Sequence, residues 1–406
     1  MNHILLISIS GQDQPGITAG VTAILAEYSA SILDIGQSVI HSSLTMGMLA
    51  ELPTSASVDD VTERVQAFAD AQGVLARISA IGADSYGQWV EEQGRQRYIV
   101  TLLARKITAD QLARVTAVIA SNGMNIDGIR RLSGRIPLGE ELPALSKACA
   151  EFSARGVLVD AAAFRRDLLE VAGVLEVDLA FQEDSMYRRN RRLVAFDMDS
   201  TLIEAEVIDE LAKEAGVGEQ VSAITERAMR GEIDFSESFR ARVALLEGLP
   251  ESALEEVAGR LAITEGAEHL IATLRKLGYK TAILSGGFTY FARHLQQTLG
   301  IDYIHANELD IADGAVTGKI CGTIVDGARK AELLKQLAED EGIDMEQVIA
   351  VGDGANDLPM LSIAGLGVAF RAKPLVQKSA EQSISTLGLD AILYLLGFSD
   401  RDQERD

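Results

Sequence analysis

The sequence predicts an α/β chain: a parallel-sheet body with an inserted helical block, preceded by two smaller α+β units of order βαββαβ. Three observations carry that expectation. A pattern in the first half recurs farther along, short continuous apolar runs replace it from Leu193 onward, and a helical block interrupts those runs after the first of them.

The recurrence comes first in the chain. "VTAILAEYSASILDI" begins at Val21 and "VTAVIASNGMNIDGI" at Val115, and the same offset of 94 residues sets "ILLISIS" at Ile4 against "YIVTLLA" at Tyr98 without a gap. Each copy reads as strand, loop, amphipathic helix, strand. Val21, Ile24, Leu25 and Tyr28 share one helical face, as do Leu112, Val115 and Ile119. Helical segments follow around 58–71 and 164–170, and the apolar stretches starting at Val74 and Val174 are expected to close the copies as strands. The order implies two ferredoxin-like units, over residues 1–85 and 95–181. "RRNRR", Arg188 to Arg192, is short and lies between domain-like segments, so residues 182–192 read as a solvated basic linker.

The body occupies residues 193–398, with a tail over 399–406. Its runs "LVAF", "TAIL", "VIAV" and "LGVAF" alternate with helical segments, the mark of a Rossmann-like parallel sheet buried on both faces. The helical block, about 205–262, cannot all be crossover and reads as an inserted cap. "ELDIADGAVTGKICGTIV", from Glu308, alternates around Asp313-Gly314, a hairpin signal. It fits either a flap near the site or a plain edge hairpin.

Bulk properties narrow the function. At 406 residues the chain is too long for one ordinary core. A formal charge of -23 disfavours nucleic acid, whose phosphates demand a basic face. The two cysteines, Cys149 and Cys321, have no metal-ligand spacing, which fits a reduced, cytoplasmic compartment. No segment approaches a membrane span, and "MNHILLISIS" lacks the pattern of a secretory leader.

Ligands of open α/β sheets bind beyond the carboxyl ends of the strands. There "LVAF" is followed by Asp197 and Asp199, "TAIL" by Ser285 and Gly286, and "VIAV" by "GDGAND" with Asp353, Asn356 and Asp357; Lys330 opens a helix after Gly327. Carboxylates without His or Cys suit a hard cation, Mg²⁺ above all. A hydroxyl, backbone N–H groups and a lysine suit a phosphoryl group. Together they describe phosphoryl transfer through an aspartyl-phosphate.

"DMDST", "SGG", the lone Lys and "GDGAND", in that order, resemble the haloacid dehalogenase superfamily of phosphohydrolases. The resemblance implies Asp197 as nucleophile and Asp199 as the acid that protonates the leaving alkoxide and then deprotonates water. It implies Mg²⁺ held by Asp197, Asp353 and the Asp199 main-chain carbonyl. Ser285 and the Gly286 amide would hold the phosphoryl group and Lys330 would neutralise it. Asp357 would position Lys330, and Asn356 would line the pocket. A carboxylic acid two residues after the nucleophile separates hydrolases from the superfamily's transport ATPases, which carry Thr there.

The cap stretches "DMDSTLIEAEVIDELAKEAG" and "AMRGEIDFSESFRARVALL" are similar to the phosphoserine phosphatases of that superfamily. Periodicity alone leaves Glu204 beside Glu206, and Arg240 beside Arg242, both open. The resemblance selects Glu206 for a substrate ammonium and Arg242 for its carboxylate, with Met229 and Phe235 closing the pocket. Arg329 next to Lys330 fits a solvated helix start. The expected activity is Mg²⁺-dependent hydrolysis of O-phospho-L-serine, the last step of phosphorylated serine synthesis. The alternatives are a phosphatase for another small phospho-amino acid or phosphomonoester, and an amino-acid sensor with a vestigial catalytic half.

The loop Asp13-Gln14-Pro15-Gly16 of the first repeat resembles ACT domains, small amino-acid-binding regulatory modules. Asp13 and Gly16 are therefore candidate regulatory residues, with L-serine as the expected effector. The second copy has Ile107-Thr108-Ala109-Asp110 there and no glycine, and its Gly123 suits a helix C-cap. Homodimerisation through these units is the simpler role for them, and a homodimer is expected.

Overall fold

In the computed structural model, which describes residues 2–135 and 145–403, the chain divides into two units, 1–95 and 96–406. The first runs β1 (His3–Gln12), α1 (Ile17–Glu27), β2 (Ser31–Ile40), β3 (Ser43–Leu52), α2 (Val58–Ala71), β4 (Leu75–Ile81) and α3 (Ala83–Gln93). Its antiparallel sheet has the order β2-β3-β1-β4. Alternate β1 residues Leu5, Ile7 and Ile9 face Val21 and Leu25 of α1 and Val61 and Val65 of α2 in one core. Helix α3 was not foreseen: Tyr86, Trp89 and Val90 share one of its faces, but the stripe is short and none of the helix's residues is buried.

The second unit opens with the repeat, β5 (Arg97–Ala104), α4 (Ala109–Ser121), β6 (Asn125–Arg131), β7 (Ala148–Arg155), α5 (Ala161–Leu175) and β8 (Asp178–Glu183), in sheet order β6-β7-β5-β8. Gly123, at φ +74, follows the end of α4. The stretch from Val174 is a strand only from Asp178, because α5 continues to Leu175. The basic segment is not a solvated linker. Arg188 is buried and ion-paired to Glu151 of β7, and Arg191 is buried with its guanidinium donating to the Glu346 carbonyl. Both lie where the repeat meets the body, so their charge serves packing.

The body follows as β9 (Leu193–Phe196), the cap helices α6 (Val207–Glu214), α7 (Gly218–Met229), α8 (Phe235–Ala244) and α9 (Ser252–Ala258), α10 (Ala267–Lys276), β10 (Lys280–Phe288), α11 (Thr289–Leu299), β11 (Tyr303–Ala312), β12 (Ala315–Cys321), α12 (Gly327–Asp340), β13 (Val348–Gly352), α13 (Leu358–Ile363), β14 (Leu366–Phe370), α14 (Pro374–Ser379) and β15 (Gln382–Ile384). The sheet order is β12-β11-β10-β9-β13-β14-β15, parallel except for the β11–β12 hairpin at its edge. Every residue of β9, β13 and β14 is buried, as the continuous apolar runs require. Phe196 pairs in register with Ile283 and Val351, so the carboxyl ends of β9, β10 and β13 share one rim.

The hairpin turn has Asp313 at φ 54 and Gly314 at φ 76, the left-handed pair of a type I′ turn. It supports the cap: Gly248 N–H donates to Val316 O at 2.8 Å and Glu251 N–H to Gly314 O at 2.9 Å.

Candidate active site

The end of β9 delivers Asp197 to the centre of the rim, where its N–H prolongs the ladder to Val351 O at 2.8 Å. The next turn is tight. Ser200 sits at φ 55, unusual for a non-glycine residue, and Ser200 Oγ donates to Glu206 Oε1 at 2.8 Å. Strain of this kind persists where the surroundings over-determine it, commonly at functional sites.

Lys330, in the first turn of α12, is fully buried. Its ammonium lies 2.9 Å from Asp197 Oδ1 and 2.7 Å from Asp357 Oδ1. Burial works against that charge, but the Asp197 and Asp357 carboxylates outweigh it and hold the pKa above the ordinary lysine value. Asp357 Oδ2 accepts the Gly354 N–H at 2.9 Å, which fixes the loop after β13. Thr201 Oγ1 reaches Asp353 Oδ1 at 3.4 Å from the other side.

Asp197, Asp353 and Asp357 each offer a carboxylate oxygen within 4.8 Å of the others. Three carboxylates against one ammonium leave negative charge uncompensated in a poorly solvated place. The Asp353 carboxyl shows it: burial, then Asp197 and Asp357, push its pKa up to about 8. The oxygen-only donor set, the crowding and the excess charge fit a hard divalent cation. Asp199 contributes no carboxylate oxygen to this group. Its Oδ1 instead accepts the Val207 N–H at 3.2 Å at the start of α6. Burial first, then Glu206 and Asp197, raise its pKa well above the usual carboxylate range.

Ser285 is fully buried near the end of β10, where its Oγ accepts the Gly287 N–H at 2.9 Å. A Cβ on Gly287 would fall 2.6 Å from Met198 Cε, 2.7 Å from Asp199 Oδ2 and 3.1 Å from Ser285 Oγ, so any larger residue would have to displace these side chains. Asn307, buried on β11, clamps this turn: its Nδ2 donates to Gly286 O at 2.8 Å and its Oδ1 accepts the Val325 N–H at 2.8 Å. Sequence reasoning singled out neither Gly287 nor Asn307. Gly287 could have been found as the second glycine of "SGG"; Asn307, far off in sequence, had no signal.

The cap supplies the upper side. Glu206 is the N-cap of α6, and partial desolvation raises its pKa against the pull of the Ser200 hydrogen bond. Arg242 lies on α8, where burial lowers its pKa against the attraction of Asp209, Glu206 and Asp199. Its Nε is buried and has no hydrogen-bond partner among the described residues. Arg240 points to solvent, and Glu204 is exposed and ion-paired to Arg371. Of the two pairs left open by periodicity, Glu206 and Arg242 are thus the ones in each other's field. Phe235 opens α8 and stacks on Phe239 with centroids 6.0 Å apart; its Cζ would meet a Cβ on Gly286 at 3.2 Å. The Asn356 side chain folds over Gly354. Met229 ends α7, and its side chain lies outside the described residues.

Asp13 and Gly16 belong to the other unit. Gly16 is the N-cap of α1 at φ 100, with no side-chain cap, while Asp13 N–H donates to Ser42 O at 2.8 Å. In the second copy Thr108 and Gln111 close the equivalent helix start with a capping box.

Residues 191–365 match the haloacid dehalogenase-like hydrolases, and residues 3–81 and 97–182 each match an ACT domain. The chain is 41% identical to the phosphoserine phosphatase of Streptomyces coelicolor over 401 residues, covering 98% of this chain and 93% of that one. It is 40% identical to the phosphoserine phosphatase SerB2 of Mycobacterium tuberculosis over 398 residues, covering 97% and 93%. Among solved structures, a haloacid dehalogenase family hydrolase of Salmonella enterica serovar Typhi superposes with a TM-score of 0.64 at 32% identity, covering 74% of this chain and 98% of the other. The unliganded probable phosphoserine phosphatase of Vibrio cholerae gives 0.59 at 33%, covering 75% and 87%.

Proposed function

The chain belongs to the phosphoserine phosphatases of the haloacid dehalogenase-like hydrolases, and on that premise we propose that it hydrolyses O-phospho-L-serine to L-serine and phosphate through a phosphoaspartate at Asp197. The observation that carries the mechanism is the buried Lys330 ammonium joining Asp197 to Asp357 beside Asp353.

In the first step an Asp197 carboxylate oxygen attacks phosphorus and the bond from phosphorus to the serine oxygen breaks. Asp199 gives its proton to the departing alkoxide; burial, then Glu206 and Asp197, favour its protonated form. In the second step Asp199, now a carboxylate, takes a proton from water, whose oxygen attacks phosphorus and breaks the bond to Asp197. Ser285 and the Gly286 amide hold the phosphoryl oxygens, Lys330 offsets their charge, Asp357 positions Lys330, and Asn356 lines the pocket. Asp197, Asp353 and the Asp199 main-chain carbonyl would hold Mg²⁺, which when bound draws charge from the phosphoryl oxygens.

A zwitterionic substrate needs one anion and one cation at fixed separation. Glu206 would take its ammonium and Arg242 its carboxylate, the unpartnered Nε being a donor in waiting. Met229 and Phe235 would cover the short side chain. This activity fits the last step of serine synthesis in the cytoplasm, and among the described residues no helix is long and apolar enough to cross a membrane. The ACT domains support regulation by an amino acid, for which L-serine is our candidate. The start of α1 at Gly16, which no side chain caps, suits a carboxylate better than the self-capped start of α4. The same domains would join two copies into a homodimer.

Phosphate release from L-phosphoserine, with and without EDTA, tests the activity; release that EDTA leaves untouched would contradict the metal assignment. A panel with phosphothreonine and phosphohomoserine, compared by kcat/KM, tests the substrate.

A further inference from the structure

Two segments connect the cap to the sheet, one after Asp199 and one before α10, and they pair with each other. Ile203 bridges Ile263, Glu204 N–H donates to Ala262 O at 2.9 Å, and Thr264 N–H donates to Leu202 O at 3.0 Å. Each connector carries a glutamate toward the same guanidinium. Arg371, just past β14, donates from Nη1 to Glu204 Oε1 at 3.3 Å and from Nη2 to Glu265 Oε2 at 2.8 Å. Its backbone is at φ 45, a conformation that non-glycine residues hold only when neighbours impose it, and its N–H is tied to Ile384 O at 2.7 Å.

Glu265 also meets a second guanidinium, from the neighbouring domain. Arg105 follows β5 in the second ACT domain and grips Glu265 with two bonds, Nη1 to Oε1 at 2.8 Å and Nη2 to Oε2 at 2.9 Å. That fork-to-fork geometry is directional. The Arg105 loop is itself held, since Ser146 Oγ donates to Arg105 O at 3.0 Å. Two cations and two anions thus alternate without excess charge from the ACT domain to the connector that carries Glu206, two residues beyond Glu204. Glu265 is largely shielded from water, which preserves more of its pairing than an exposed pair would keep.

We propose that Arg105, Glu265, Arg371 and Glu204 form a latch by which the second ACT domain sets the cap's connectors, and with them the position of Glu206 against the substrate ammonium. The inference rests on the substrate reading above. These are positioning residues; none touches the reacting atoms. The latch makes the second ACT domain, whose own helix start is capped, the transmitting partner of the pair.

The test uses the full chain and two substrates, L-phosphoserine and p-nitrophenyl phosphate, which has no ammonium. In Arg105→Gln and Glu204→Gln the KM for phosphoserine should rise roughly five- to tenfold, the low end of coupling between sites. The kinetics of p-nitrophenyl phosphate should stay unchanged, and the double variant should lose no more than either single one, since both cut one chain of contacts. Equal loss on both substrates, additive losses, or an unchanged KM in protein with a cooperative melt would overturn the latch. Should Arg105→Gln fail to fold, Glu204→Gln, at an exposed site, carries the same comparison. If the parent cleaves only p-nitrophenyl phosphate, the substrate reading fails while the latch stays testable by hydrogen exchange. Faster exchange over 202–206 and 262–265 in the variants supports it, and unchanged exchange refutes it.

Discussion

Lys330 is placed where a single charge has to serve two carboxylates, Asp197 and Asp357. With Asp353 beside them, a divalent ion should stabilise the fold: at a hundred times its dissociation constant, about 2.7 kcal/mol. Melting temperature is therefore expected to rise with Mg²⁺ in the parent and to respond far less in Asp353→Asn. Arg242→Ala should lower kcat/KM for phosphoserine by roughly 2–4 kcal/mol, or about thirty- to thousandfold, while sparing p-nitrophenyl phosphate; equal loss on both would contradict the carboxylate role. Gly287→Ala should cost kcat, because its Cβ would press on Asp199 Oδ2 and Ser285 Oγ. Asp197 and the "GDGAND" residues were legible because "LVAF" and "VIAV" mark where β9 and β13 stop, whereas β10 runs on past "TAIL" through Ser285 to Phe288. Asn307 was not legible, since its clamp on Gly286 joins positions that only the sheet brings together.

At the scale of elements, two pieces of the chain behave differently from their sequence pattern for identifiable reasons. Arg188 and Arg191 read as a solvated run, yet both are buried where the repeat meets the body; the Glu151 pair and the Glu346 carbonyl offset part of the cost of burying their charge. Helix α3 carries only a short stripe of Tyr86, Trp89 and Val90, and Gly87 within it weakens the helical signal. The Asp313-Gly314 hairpin was legible from its turn chemistry, but its contact with the cap at Gly248 and Glu251 was not. The connector before α10 yields a pH expectation. Arg105 first, through its hydrogen bonds, and Arg371 beyond it hold the Glu265 carboxyl below the ordinary value. Its contribution to stability is whole above about pH 4.3, the unfolded value, and fades as pH falls through the lower folded one. The gap in urea midpoint between the parent and Glu265→Gln should therefore close on acidification through that window; a constant gap would mean that Glu265 acts by packing alone.

For the whole molecule, the repeat was legible because each copy keeps its strand-helix-strand register without a gap; beyond it the copies part, β3 following β2 closely while β7 follows β6 only after a longer segment. The helix starts differ as well, Gly16 without a side-chain cap against the Thr108 capping box, and our proposal places the effector at the first of them. In the full chain, Gly16→Val is expected to abolish any response to L-serine while leaving kcat for phosphoserine intact, since the site belongs to the other unit. A retained response would move the effector elsewhere. The body's chemistry, in contrast, stands or falls on one bond. Rapid quenching of the Mg²⁺-loaded enzyme with radiolabelled phosphoserine, followed by peptide mapping, should find acid-stable, base-labile phosphate on Asp197 and none in Asp197→Asn, which should not turn over. An Asp197→Asn protein that releases phosphate at the parent's rate, with no labelled intermediate in either, would contradict the account.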